Sequence, residues 1–172
     1  LSTLHTNDAL SAVGRLRNMG IQSSYIADAL ILLQAQRLVR QLCDCKLIRP
    51  ATESEKRLIR HYYPKDHPIN KPIQGVFDDF LKGEGMVFAR NGCHNCQNTG
   101  YSGRRAIMEL CPVTLEIKDR IARESPGTEL YKVACETGYH GLFAEALRQV
   151  VTGRTDFDEI VSHNTEIDFE SL

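Results

Sequence analysis

The 172-residue chain has no tryptophan, and its longest unbroken apolar run, residues 29–33, is five residues. A membrane-spanning helix needs about 20, so no span is readable in the sequence. No basic stretch followed by an apolar segment and a small-residue cleavage site opens the chain, and a cytoplasmic protein is the expectation. Positive charge is not in surplus either: 21 Lys and Arg stand against 22 Asp and Glu, net −1. Phosphate neutralisation needs clustered cations in excess, so the charge balance argues against general nucleic-acid affinity. Nowhere does Gly-x-x-x-x-Gly-Lys-Ser/Thr occur. Without it there is no phosphate-cradling loop and no lysine for the β- and γ-phosphates of a nucleotide.

What is present is ordinary for a folded domain: 42% apolar and 25% charged residues. Charge is unevenly spread. Residues 1–49 carry six bases against three acids, whereas residues 153–172 carry one base against six acids. The acidic end reads as a solvated tail. Residues 1–6, Leu-Ser-Thr-Leu-His-Thr, read as a strand that opens the chain without Met. A strand needs neighbours to satisfy its backbone, so this opening points to a piece of a longer protein.

Along the chain, Asn7 or Asp8 can cap a short helix with Ala9, Val13 and Leu16 on one face, ended by Gly20. Ser23 or Ser24 can cap a second, with Ile26, Leu30, Leu33 and Arg37 on one stripe. Residues 38–43 alternate as a strand does. Residues 46–90 hold four of the six prolines and a charged helical stretch at 53–63 with weak apolar periodicity, a composition that calls for a staple. Strands are expected at 86–89 and 105–110, the second after a turn-rich stretch at 98–103. Helices are expected at 114–123, 129–137 and 141–152. A last one is opened by a capping-box variant at Thr155-Asp156-Phe157-Asp158, and together these four make a small bundle.

The six cysteines divide by position into two pairs and two singletons. Cys43 and Cys45 flank one residue, Cys93 and Cys96 flank two, and the pairs bracket the segment that needs a staple. Four thiolates around one zinc ion would supply its folding energy. His94, His61 or His67 could replace one thiolate, since imidazole is also a zinc ligand. The other reading is that the four cysteines pack as small hydrophobes left from a lost site. Redox use of Cys93-x-x-Cys96 needs a helix N-terminus to lower the thiol pKa, and no helix is expected after Cys96. Cys111 and Cys135 read as core residues.

Three stretches, in order, resemble the C-terminal part of the ATPases of type II secretion and type IV pilus assembly. They are Leu1-Ser2-Thr3-Leu4-His5-Thr6-Asn7-Asp8-Ala9, Ala35-Gln36-Arg37-Leu38-Val39-Arg40, and Cys93-x-x-Cys96-x-x-Thr99-Gly100-Tyr101-x-Gly103-Arg104. The resemblance extends to Gly153-x-Thr155-x-x-Asp158-Glu159-Ile160-Val161. Cys43-x-Cys45 departs from the family's usual Cys-x-x-Cys.

The resemblance implies an α/β architecture: the last part of a RecA-like core over residues 1–42, a small zinc-bearing insert over 43–99, and a strand with a mostly α-helical end domain over 100–172. It implies that His5 lies near the γ-phosphate of ATP bound with Mg, with Thr6 assisting, and that Gln36 and Arg37 sense the nucleotide state. Zinc would be held by Cys43, Cys45, Cys93 and Cys96. The parent would be a homohexamer working with an inner-membrane platform protein and other assembly components, peripheral to the membrane and not binding nucleic acid. The Walker B acid and its general-base glutamate are missing from these residues, so this chain alone is expected to be inactive. Two other readings compete. One is a free-standing zinc-stabilised interaction module; the other is a nucleic-acid-binding zinc ribbon, disfavoured by scattered lysines and by Tyr101 as the only aromatic close to the cysteines.

Overall fold

A computed structural model describes residues 2–62, 74–83 and 85–162. Leu1, Tyr63, His67, three of the prolines (Pro64, Pro68, Pro72) and the tail acids Glu166, Asp168 and Glu170 lie outside the described residues. In chain order the elements are α1 (Ser11–Asn18), α2 (Ser23–Ala29), β1 (Leu32–Leu42), β2 (Leu47–Pro50), α3 (Glu53–Tyr62), α4 (Gln74–Lys82), β3 (Met86–Ala89), a 3-10 turn (His94–Cys96), β4 (Tyr101–Pro112), α5 (Leu115–Ala122), α6 (Gly127–Glu136), α7 (Leu142–Val151) and α8 (Phe157–Ser162). β1 pairs with β4, and β2 with β3. Packing divides this mixed α/β chain into two compact units, Leu1–Arg37 with Met108–Leu142, and Leu38–Ile107 with Phe143–Leu172.

The first unit is built on α1, α2, α5 and α6. The Asp8 carboxylate accepts the Ser11 N–H at 2.8 Å and so starts α1. Thr114 does the same for α5, accepting the Ile117 N–H at 3.4 Å. Ile117 and Ile121, one turn apart on α5, are fully buried and meet Val13, Ile26, Leu130, Val133 and Ala134 in one core. Each buried isoleucine is worth about 1.5–3 kcal/mol of transfer free energy. Arg17 reaches from α1 to the carbonyls of Ile121 and Ser125 at 2.9 and 3.3 Å, placing a cation at the C-terminal end of α5.

Two expectations fail in this unit. Residues 2–6 form no strand, since a strand exists through ladder bonds and no described strand pairs with them. The second helix stops at Ala29 instead of running to Arg37: Leu30 turns to extended backbone (ψ 130), and residues from Leu32 onward join the ladder with β4. The spacing of Leu30, Leu33 and Arg37 fits a helix, but a long-range strand partner overrides local periodicity. Cys135 is a further correction. It is exposed on α6, whose buried face is Leu130, Val133 and Ala134.

In the second unit β2 and β3 are antiparallel, with Leu47 opposite Ala89 and Arg49 opposite Val87. Thr52 and Glu55 open α3 as a reciprocal cap: Glu55 N–H donates to the Thr52 hydroxyl at 3.3 Å and Thr52 N–H to the Glu55 carboxylate at 2.8 Å. Leu58, Ile59, Phe80 and Val87 are essentially inaccessible. The described residues between 46 and 90 therefore bury more apolar surface than the segment's composition suggests, and β2 and α4 are elements that the proline-rich texture concealed. Helices α5 and α6 fall in the first unit, and nearly all of α7, with α8, in the second. Among the described residues no helix is long and apolar enough to cross a membrane.

Candidate metal centre

Cys43 follows the last residue of β1, where its N–H donates to the Gly100 carbonyl at 2.9 Å. The chain then turns, closed by a bond from Lys46 N–H to the Cys43 carbonyl at 3.0 Å. Cys43 and Cys45 therefore sit in and beside a turn, which lets two thiols one residue apart face the same point. Lys46 anchors the far side by donating to the Gly153 carbonyl at 2.7 Å and lying over the Phe88 ring.

The second pair is carried by the 3-10 turn. Cys93 is extended, Gln97 and Asn98 are left-handed at φ 52 and 61, and Gly100 returns the chain into β4 at φ 80. A Cβ on Gly100 would lie 2.6 Å from the Asn91 carbonyl oxygen, so only glycine fits there. Backbone N–H groups of Cys93 and Gly100 both donate to the Cys96 sulfur at 3.3 Å.

These loops bring four sulfurs together. Sγ of Cys43 lies 3.8 Å from that of Cys93, Cys45 3.9 Å from Cys96, and Cys93 3.6 Å from Cys96. All four lie within 4.8 Å of one another, and none is in a disulfide. A tetrahedron of thiolates about 2.3 Å from a zinc ion has edges of about 3.8 Å, so the residues fit such an ion. His94 is exposed in the 3-10 turn and His61 stacks edge-on against Tyr62 at 4.6 Å; neither belongs to the cluster.

Charge is unevenly shared. Burial raises the Cys96 thiol, but the two N–H donors and the neighbouring thiols of Cys93 and Cys45 outweigh it and bring it down to about 6. Burial first, then the other three cysteines, pushes Cys45 up to about 12. The Cys96 thiolate is favoured while Cys45 resists ionisation, an imbalance that a soft divalent cation bound by the cluster would relieve.

Beside the cluster lies a polar lattice that sequence reasoning missed. The Tyr101 hydroxyl donates to Asp156 at 2.9 Å, and Asp156 caps α8 by accepting the Glu159 N–H at 3.0 Å. Glu159, fully buried, accepts the Arg40 N–H at 2.7 Å and the Arg40 side chain at 2.6 Å, while the Arg40 guanidinium stacks 4.1 Å above the Tyr101 ring. The α8 cap is thus Asp156. Thr155, expected to open a capping box, instead donates to the Arg40 carbonyl at 2.9 Å. The signal lay in the sequence as three acids, Asp156, Asp158 and Glu159, packed around an otherwise apolar helix.

The residues expected at a nucleotide fall in two segments of the first unit. His5 is exposed, and Thr6 is half-buried with its hydroxyl donating to the Asp8 carbonyl at 2.9 Å. Gln36, exposed, and Arg37, half-buried, lie within β1 and not at a helix end.

A two-unit α/β fold carrying a four-thiol cluster defines a domain with a built-in candidate metal module. A family model described as "Type II/IV secretion system protein" matches residues 1–162, and the chain belongs to that family. It is 35% identical over 161 residues to the type IV pilus assembly ATPase PilB of Acinetobacter baylyi, covering 93% of this chain and 25% of that protein. It is 36% identical to the protein of the same name from Myxococcus xanthus, covering 95% and 26%. It is 32% identical to a putative type II secretion system protein E of Escherichia coli, covering 94% and 29%. The chain therefore spans about a quarter of the length of the relatives it matches.

Proposed function

We propose that the chain is the C-terminal portion of a RecA-like ATPase that powers type IV pilus assembly or type II secretion. The observation that carries this reading is the family match across residues 1–162, together with relatives named as pilus assembly ATPases that align with 93% or more of the chain. In sequence order, residues 1–42 complete the nucleotide-binding core, 43–99 form the zinc-bearing insert and 100–172 the strand and helical end.

In the whole enzyme His5 hydrogen-bonds the γ-phosphate or the attacking water, and Thr6 assists through its hydroxyl. Gln36 and Arg37 respond to the nucleotide state from β1. Cys43, Cys45, Cys93 and Cys96 hold zinc, which fixes the loops that join β1 to β2 and β3 to β4 and does no chemistry on the nucleotide. The P-loop lysine and the Mg-binding acid come from residues outside this chain, which hydrolyses no ATP unaided. Six copies assemble, and hydrolysis between neighbours drives domain rotation passed to an inner-membrane platform protein. The enzyme is held at the cytoplasmic face of the inner membrane by such partners.

Replacing His5 by Ala in the full-length enzyme tests the nucleotide role. ATP turnover falls at least about tenfold while zinc content and folding stay unchanged. Turnover equal to the wild type would remove His5 from the site.

A further inference from the structure

We propose that Glu109 is a positioning residue for the loop that carries His5 and Thr6. The proposal rests on the nucleotide role given to that loop above. It starts from a buried acid that is bonded to no cation among the described residues.

Glu109 lies on β4 in alternation with Ile107 and Cys111, all three buried, and its own exposure is 1%. A carboxylate is costly at such a place unless donors replace its water, and an apolar side chain would fill the same strand position without that cost. Among the described residues its partners are donors and not a cation. It accepts the Ala9 N–H and the Leu142 N–H at 2.6 Å, and the Tyr139 side chain faces it.

Both N–H groups stand where a helix begins. Ala9 opens the turn into α1, its carbonyl accepting the Ala12 N–H at 3.3 Å, and Leu142 is the first residue of α7. The donors at a helix start have no partner within the helix, and the positive end of the helix dipole favours an anion there. One carboxylate thus serves two helix starts.

The consequence falls on the residues just before Ala9. Within that loop Thr6 donates to the Asp8 carbonyl and Asp8 accepts the Ser11 N–H, so these two bonds tie the loop to itself. The bond that ties it to the strand beneath is the one from Ala9 to Glu109. Ala9 is buried and Leu4 packs on the core, so between them the exposed His5 is held at two points, one apolar and one charged. Removing the charged point leaves the fold its core but lets the loop choose its path.

The test uses the full-length enzyme with Glu109→Ala and Glu109→Gln, each alone and combined with His5→Ala. ATP turnover is read at saturating and limiting ATP, and hydrogen exchange is followed in the peptide spanning residues 4–12. Glu109→Ala is expected to lower kcat about tenfold with KM for ATP within about twofold, and to speed exchange in that peptide. Glu109→Gln, which keeps one acceptor oxygen and folds where Ala fails to, recovers part of kcat. In the His5→Ala background Glu109→Ala adds no further loss, because it acts through the same loop. An equal further loss in that background, or unchanged kcat and exchange in the single variant, overturns the proposal. If His5→Ala alone leaves turnover intact, the nucleotide reading of His5 has failed separately. Exchange in the 4–12 peptide then decides for Glu109: faster supports it, unchanged overturns it.

Discussion

The Tyr101 hydroxyl donates to the Asp156 carboxylate at 2.9 Å, joining the first residue of the strand that leaves the cysteine loop to the residue that caps α8. Asp156 is buried, so its oxygens must find their hydrogen-bond donors within the protein. Tyr101→Phe keeps the ring under Arg40 and removes only the donor. A loss of about 1–3 kcal/mol is expected in urea unfolding, the range for a buried acceptor deprived of its partner. A midpoint identical to the wild type would show the bond to be idle.

One zinc ion per chain would account for the four clustered thiols. Elemental analysis of freshly purified protein should give about one zinc per chain. Chelation should lower the melting temperature and make four further thiols reactive to an aromatic disulfide, with zinc reversing both. Metal-free protein that unfolds cooperatively at the same temperature would leave the cysteines as small packed side chains.

Two glycines with the same backbone angle should respond differently to alanine. Gly100 and Gly103 have φ 80 and 81, but a Cβ at Gly100 meets Arg90 Cβ and the Asn91 carbonyl at 2.6 Å while one at Gly103 meets nothing within 4 Å. Gly103→Ala is expected to lose about 1–2 kcal/mol from left-handed strain alone. Gly100→Ala adds an overpacking loss of about 1–3 kcal/mol and weakens zinc binding, because the displaced N–H serves Cys96. Equal losses would mean that the close approach at Gly100 relaxes freely.

The Arg49–Glu55 pair gives the second unit an acid-sensitive element. Burial pushes the Glu55 carboxyl up, but the Arg49 guanidinium at 2.6 Å and the Thr52 N–H outweigh it and hold it below the ordinary carboxylate range. A group depressed in the folded state contributes stability above its unfolded pKa of about 4.3 and loses it as pH falls through the folded value. Urea midpoints measured downward from pH 5 should therefore fall, and Glu55→Gln should flatten part of that fall. A variant with the wild-type slope would assign the acid sensitivity elsewhere.

The helices were legible where caps and apolar spacing agree, as at Asp8 for α1 and Thr114 for α5. β1 was legible only in its second half, from Leu38 on, because Leu30, Leu33 and Arg37 satisfy a helical stripe and only pairing with β4 decides against it. The cysteine cluster was legible as two spaced pairs, although the turn that carries Cys45 was not. The lattice of Arg40, Tyr101, Asp156 and Glu159 was hidden, since each of its charged members looks like solvated surface until residues far apart in sequence meet. Glu109 had left a sign: it shares a strand face with Ile107 and Cys111, where an acid is out of place unless it is bonded.

The most direct test of the central claim is to translate the reading frame upstream of the codon for Leu1. The account predicts a Gly-x-x-x-x-Gly-Lys-Ser/Thr loop followed by an apolar strand ending in an acid, the two parts that an ATPase needs and that these 172 residues lack. A start codon immediately ahead of Leu1, with no such loop, would contradict it and leave a zinc-stabilised interaction module in its place.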